Sequence, residues 1–475
     1  MLFTSLEFLF AFFPITFGVN FLLPKKARNY WLLLASLFFY AWGEPSFLIV
    51  MLISILFNYL MALRIAEADG NERVRKLFLA ITVIGNIGLL FVYKYMNFVT
   101  STLHSMIPST QEMFEGTEFV LPIGISFFTF QAMSYVIDVY RGVPVQKNLA
   151  YLGLYISLFP QLIAGPIVRY TTVADEINSR EITPDRFCKG MLRFVKGFNK
   201  KVLLANILAQ VADASFGAKE LSVAFAWFGA LCYALQIFFD FSGYSEMAIG
   251  LGLMLGFTFL ENFDYPYISK TITEFWRRWH ISLGSWFRDY IYFPLGGSHV
   301  KSKLRLVFNL SVVWLATGIW HGASWNFILW GALYGLIIIV EKLLSIPKRV
   351  ETVRPLRVGY QIFSMLMVLF GWVLFRAADL SFALDYLKAM FGIGSVGYIG
   401  ATARLYFAEF FVILVAGILC STPIFRFMRE KLATRLKNGL AICNAVTYTV
   451  QAVLFLISVS FIIMDSHNPF IYFNF

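Results

Sequence analysis

LVFNLSVVWLATGIWHGASWNFILWGALYGLIIIV, residues 306–340, contains no Asp, Glu, Lys or Arg. At 1.5 Å per residue, a helix over these 35 residues reaches about 52 Å, nearly two bilayer cores. The run is therefore read as two crossings that turn near Trp320-His321-Gly322-Ala323-Ser324. If the turn falls short of the far interface, His321 points into a cavity at membrane depth. Polar groups there are costly unless compensated, so the ring needs a reason. Burial disfavours a charge, and a neutral imidazole can act as a base. The plainer reading is a histidine hydrogen-bonded between packed helices.

The rest of the chain is of the same kind. Of 475 residues, 59% are hydrophobic and 14% charged, against roughly 25% charge in a soluble domain. Mean hydropathy is +0.70. This composition describes an all-α polytopic membrane protein. Fourteen apolar runs are candidate spans: 6–23, 30–42, 47–63, 77–93, 119–139, 149–168, 190–211, 223–239, 241–260, 306–320, 327–340, 360–375, 405–420 and 446–464. Between 11 and 13 true crossings are expected, the others being broken, tilted or re-entrant. The break at Pro160-Gln-Leu-Ile-Ala-Gly165-Pro166 is the clearest, because each proline removes a backbone donor.

Charge orients the chain. Lys25, Lys26 and Arg28 follow the first span, and Arg64, Arg73, Arg75 and Lys76 the third. Glu112, Glu115 and Glu118 occupy a loop free of Lys and Arg. Basic loops stay inside, so both termini are expected outside, with 12 crossings as the best single figure. The net charge of +11 fits that bias, and basic residues confined to short loops exclude a nucleic-acid partner. Cys188, Cys232, Cys420 and Cys443 form no CxxC or metal spacing, and no metal is expected. The N-terminus lacks the basic n-region of a cleaved signal peptide, so the first span is expected to stay.

Two further segments carry candidate chemistry. In Thr271-Ile-Thr-Glu-Phe-Trp-Arg-Arg-Trp-His280, the residues Trp276, Trp279, Leu283 and Trp286 recur at helical spacing and predict one amphipathic helix. His280 borders that stripe, four residues from Trp276. Arg277 and Arg278 lie on the other side, placed to hold phosphates. The second segment, Asp240-Phe-Ser-Gly-Tyr244-Ser-Glu246, sets two carboxylates among apolar residues; pairing with a basic residue competes with a direct role. Neither an HExxH, nor a phosphate-binding glycine loop, nor a GxSxG elbow is present.

Six strings, in consistent order, resemble one family. They are Leu37-Phe-Phe-Tyr-Ala-Trp-Gly-Glu-Pro45, Phe159-Pro-Gln-Leu-Ile-Ala-Gly-Pro166, Asp240-Phe-Ser-Gly-Tyr-Ser-Glu-Met247, Phe275-Trp-Arg-Arg-Trp-His-Ile-Ser-Leu-Gly-Ser-Trp286, Thr317-Gly-Ile-Trp-His-Gly-Ala323 and Phe370-Gly-Trp-Val-Leu-Phe-Arg376. The chain is similar to the membrane-bound O-acyltransferases (MBOAT), in their bacterial alginate O-acetyltransferase branch. The resemblance implies a ring of helices around a central tunnel, built as one membrane-embedded domain. Residues 1–115 would be its N-terminal helices, 116–345 the catalytic core and 346–475 the C-terminal helices.

It implies that His321 is the family's intramembrane histidine and His280 the second signature position. Acetyl-CoA would be the donor, with no permanently bound cofactor. Arg277, Arg278, Trp279, Trp320, Asp240, Tyr244 and Glu246 are the candidate donor-binding residues. His321 would take the acceptor's proton, while His280 would orient the thioester or donate to the oxyanion. The setting would be the bacterial inner membrane, with an extracytoplasmic, SGNH-hydrolase-like acetyltransferase as partner and a cell-surface polysaccharide as final acceptor. A multi-span transporter of a polar lipid or glycan, or D-alanyl transfer to teichoic acid, are the alternatives.

Overall fold

The computed structural model describes residues 1–107, 119–436, 438–464 and 471. The acidic loop with Glu112, Glu115 and Glu118, and the tail residue His467, lie outside the described residues. Among the described residues the chain is helical, and its sole β-pairing is one antiparallel bridge, Phe263 with Trp279. Eight helices among the described residues are long and apolar enough to cross a bilayer. The protein is thus a multi-pass membrane protein. It divides into two compact units, Met1–Met191 with Ala248–Leu260, and Leu192–Met247 with Glu261–Phe475.

The first unit holds α1 (Phe13–Leu22), α2 (Lys25–Gly43), α3 (Leu48–Glu67), α4 (Glu72–Leu90), α5 (Met96–Met106), α6 (Ile125–Tyr140), α7 (Leu149–Ser157) and α8 (Tyr170–Asn178). Phe3, Phe8, Phe39 and Phe159 meet as a buried aromatic cluster. Asn58 of α3 and Asn86 of α4 exchange side-chain amide hydrogen bonds of 2.9 and 3.1 Å, so neither buried amide is stranded. The predicted break is present. α7 stops at Ser157, and a single turn, Phe159–Leu162, is followed by irregular, buried chain through Pro166. The Phe159 N–H, freed by the break, donates to Ser36 Oγ at 3.1 Å.

Helix α9 (Pro184–Asn199) and a π-helical segment lead to α10 (Asn206–Phe216) and then α11 (Val223–Met254). The runs 223–239 and 241–260 were expected as two spans. They form the one continuous helix α11, because Phe239-Asp-Phe-Ser contains no helix breaker and Asp240 has a partner. Lys201 Nζ meets Asp240 Oδ1 at 2.5 Å, with both side chains buried. A neighbouring pair, Lys200 with Glu246 at 2.6 Å, is half-buried. Buried charges at membrane depth pair in this way or are not tolerated.

The second unit continues with α12 (Ile272–Arg278), α13 (Ile281–Phe287), α14 (Lys303–His321), α15 (Trp325–Leu343), α16 (Arg354–Arg376), α17 (Leu380–Met390), α18 (Ala401–Cys420) and α19 (Gly439–Met464). The uncharged run is the α14–α15 hairpin, turning at Gly322 to Ser324 as its length requires. A Cβ on Gly318 would stand 2.5 Å from Phe327 O, and one on Gly331 would stand 2.5 Å from Trp314 O. Only glycine permits this backbone approach, the usual way helices bind each other without a hydrophobic drive.

Candidate active site

His280 and His321 line one cavity of about 510 Å³ in the second unit. Each is buried, at 3% and 4% exposure. Along α14 the wall is Leu310, Val313, Trp314, Thr317 and His321, all on one helical face. From Leu310 to His321 the cavity follows that face for about 16 Å. The antiparallel hairpin sets Ile338 and Lys342 of α15 at the end away from His321. Arg277 and Arg288, both exposed, line the same cavity, and Arg288 also pairs through Nε with Asp289 at 2.8 Å. A cationic, solvent-reaching mouth thus leads along an apolar wall to two buried imidazoles.

The segment bearing His280 differs from the single helix expected. It is two short helices, α12 and α13, with a break at Trp279-His280. His280 has φ 46° and ψ 54°, the left-handed region, where a side chain costs about 1–2 kcal/mol. Consequently Trp276 and His280 are not neighbours on a helical face. The break is enforced from outside the segment. Asp264 N–H donates to Arg278 O and Ile281 N–H to Asn262 O, each at 3.0 Å, flanking the Phe263–Trp279 bridge. This small clasp replaces the helical hydrogen bonds that the turn gives up.

The start of α12 is fixed equally firmly. Thr271 Oγ1 accepts the Glu274 N–H as an N-cap. Glu341, fully buried on α15, accepts the Ile272 and Thr273 N–H groups at 2.8 Å each. One carboxylate therefore ties the helix leading to His280 to the hairpin whose first helix ends at His321. It also complements the positive end of the helix.

Each imidazole has an aromatic cage. Trp320, Trp330 and Phe375 stand edge-on to His321 at 5.0, 4.9 and 5.3 Å between ring centres. Phe241 stands edge-on to His280 at 4.6 Å, and Trp320 reaches it at 6.2 Å. His280 Nδ1 lies 3.1 Å from Asn262 Oδ1. Burial pushes the His280 imidazole down to about 3, so it is neutral at any physiological pH.

The candidate residues named from sequence separate into two groups. His280, His321, Arg277 and Trp279 share the cavity. The others are not part of its wall. Arg278 is spent on Glu274 and Asp264, at 3.0 Å each. Asp240 and Glu246 hold lysines, Tyr244 is buried in α11, and Trp320 backs the two imidazoles. Arg288, Lys342, Glu341 and Asn262 were missed. The charges that end the uncharged run, Glu341 and Lys342, were the available signal for two of them.

A buried histidine pair and basic side chains thus line one cavity with a largely apolar wall. The family model of the membrane-bound O-acyltransferases matches residues 34–381, a range that includes every residue lining this cavity. The chain belongs to that family, and it is an O-acyltransferase. It is 46% identical over 396 residues to "Probable alginate O-acetylase AlgI" of Azotobacter vinelandii, covering 83% of this chain and 79% of that one. It is 34% identical to the "Peptidoglycan O-acetyltransferase" of Helicobacter pylori, across 100% of this chain and 98% of that one. The "Teichoic acid D-alanyltransferase" of Bacillus subtilis is 30% identical over 230 residues, 46% of this chain and 58% of the other.

Proposed function

We propose that this enzyme moves an acetyl group from acetyl-CoA on the cytoplasmic side to an extracytoplasmic acceptor that serves a cell-surface polysaccharide of the alginate or peptidoglycan type. The observation that carries the reading is that His280 and His321, 41 positions apart, line one cavity whose mouth is basic. The CoA phosphates would meet Arg277, Arg288 and Lys342, and the thin pantetheine arm would follow the α14 face. An extended chain of about five residues spans the same 16 Å.

His321 removes the acceptor's hydroxyl proton. The oxygen forms its bond to the acetyl carbonyl carbon, the carbon–sulfur bond breaks, and the thiolate recovers the proton. General-base help of this kind is worth about 10²–10⁴ in rate. His280 borders the reacting pair and orients it. The bacterial inner membrane, with outward-facing termini, and hand-over to an extracytoplasmic SGNH-hydrolase-like acetyltransferase complete the proposal. The names of the relatives support an acetyl group and a surface glycan.

The test uses purified protein in nanodiscs with acetyl-CoA labelled on the acetyl group. Release of CoA with label passing to an acceptor, lost in His321→Ala at normal abundance, is the expected result. Full transfer by His321→Ala sinks the assignment. Passage of a glycan or lipid across proteoliposomes without thioester loss favours transport instead.

A further inference from the structure

Asn262 opens the clasp and is buried at 1% exposure. Its Oδ1 receives three groups: the Ser282 N–H at 3.1 Å, the Ser282 hydroxyl at 2.9 Å, and His280 Nδ1 at 3.1 Å. Its amide nitrogen donates to Ser245 Oγ at 3.0 Å. The orientation of this amide is not ambiguous. A backbone N–H only donates, so the atom facing Ser282 N is the oxygen. An amide oxygen cannot donate to His280, and the Ser282 hydroxyl donates to Oδ1 at 2.9 Å while standing 3.5 Å from Nδ1, so Nδ1 carries the proton. In a neutral imidazole the other nitrogen, Nε2, is then the acceptor.

We infer that Asn262 is a positioning residue that holds His280 as the Nδ1–H tautomer, so that the ring offers substrate an acceptor and not a donor. This rests on the reading of the cavity as the reaction site, and it alters one expectation for it. His280 cannot donate to the oxyanion through Nε2 while neutral. It accepts a hydrogen instead, and orients the acceptor hydroxyl. The clasp explains why Asn262 reaches the ring: the Ile281 N–H bond to Asn262 O fixes the two segments in register, and the left-handed turn at His280 brings its ring back over residue 262. Among the described residues, the uncharged side chains of Phe241, Asn262, Ser282 and Trp320 pack on the ring. Besides His280, the titratable or charged groups of the shared cavity wall are His321, Arg277, Arg288, Tyr292 and Lys342. A ring held in the wrong tautomer loses up to ~10⁴ in turnover in a comparable histidine site.

The direct test is ¹⁵N NMR of histidine-labelled protein in nanodiscs, with His280 assigned by its loss in His280→Asn. The expected spectrum has a protonated Nδ1 and an unprotonated Nε2 at His280. A proton on Nε2 overturns the inference, whatever the activity. In Asn262→Leu, turnover is expected to fall by about 10²–10⁴-fold with the KM for acetyl-CoA held. Asn262→Asp keeps the acceptor oxygen and is expected to recover most of that loss. Equal loss in both variants, with the wild-type tautomer unchanged in Asn262→Leu, also overturns it. If the tautomer is as stated but His280→Asn turns over normally, the site reading fails and the tautomer assignment stands.

Discussion

Gly331→Ala tests the hairpin that sets His321. A Cβ at Gly331 would lie 2.5 Å from Trp314 O and 2.9 Å from Gly318 Cα. Both obstacles are backbone, so no side chain can swing away. Restoring an ordinary contact of about 3.4 Å to the carbonyl requires α14 and α15 to part by about 0.9 Å at this level. His321 is the last residue of α14, three positions beyond Gly318, so it moves with the helix. Misplacement near 1 Å of a reacting group costs about 10²-fold in rate. Overpacking itself costs roughly 1–3 kcal/mol, which leaves the protein folded in the membrane. The assay is CoA release by purified enzyme at saturating acetyl-CoA. The expected result is a kcat about two orders of magnitude down with normal yield. Gly359→Ala is the control, since nothing stands within 4 Å of its Cβ, and it should be silent. Wild-type kcat in well-folded Gly331→Ala would refute the argument.

Other expectations follow from the same geometry. Exposed Arg277 and Arg288 are each worth about 1 kcal/mol or less toward an anion, so Arg277→Ala and Arg288→Ala should raise the acetyl-CoA KM by about fivefold, less at high salt; Arg278→Ala should leave KM unchanged. Glu341→Ala strands two buried N–H donors, each costing about 1–3 kcal/mol, and should lower thermal stability in detergent more than Glu341→Gln does. Lys201→Ala leaves Asp240 buried without its cation, at about 3–5 kcal/mol, whereas Lys201→Met with Asp240→Leu should recover most of that loss in an unfolding assay. Because the folded His280 resists protonation until about pH 3, acid favours the unfolded chain, whose histidine titrates near 6.5. Its contribution is fully present above pH 6.5 and is lost as pH falls below it. Unfolding midpoints should therefore drop by the equivalent of about 2 kcal/mol from pH 7 to 5, and by less in His280→Asn.

Much of this was legible in the sequence, and the rest shows where periodicity ends. The uncharged run 306–340 announced its own hairpin, because bilayer thickness limits what 35 apolar residues can do. Pro160 and Pro166 announced a break for a covalent reason. Residues 271–286 misled because nothing in them breaks a helix; the turn at His280 is imposed by residues 262–264, and a local pattern contains no trace of a distant strand-like partner. Asp240 and Glu246 looked like site residues because a buried carboxylate is unusual, but sequence does not reveal that Lys200 and Lys201 face them. Arg277 and Arg278 were indistinguishable as neighbours; only the positions of Glu274 and Asp264 decide that the second is a structural cation.

On the proposed reading, the thioester reacts in the cavity shared by His280 and His321. The most direct measurement is a structure of the protein in nanodiscs with an unreactive acetyl-CoA analogue in which the thioester sulfur is replaced by a methylene group. The expected density has phosphates at Arg277, Arg288 and Lys342, the arm along Thr317 and Trp314, and the carbonyl within reach of both imidazoles. An analogue bound elsewhere, with this cavity empty or filled by lipid at saturating ligand, contradicts that reading.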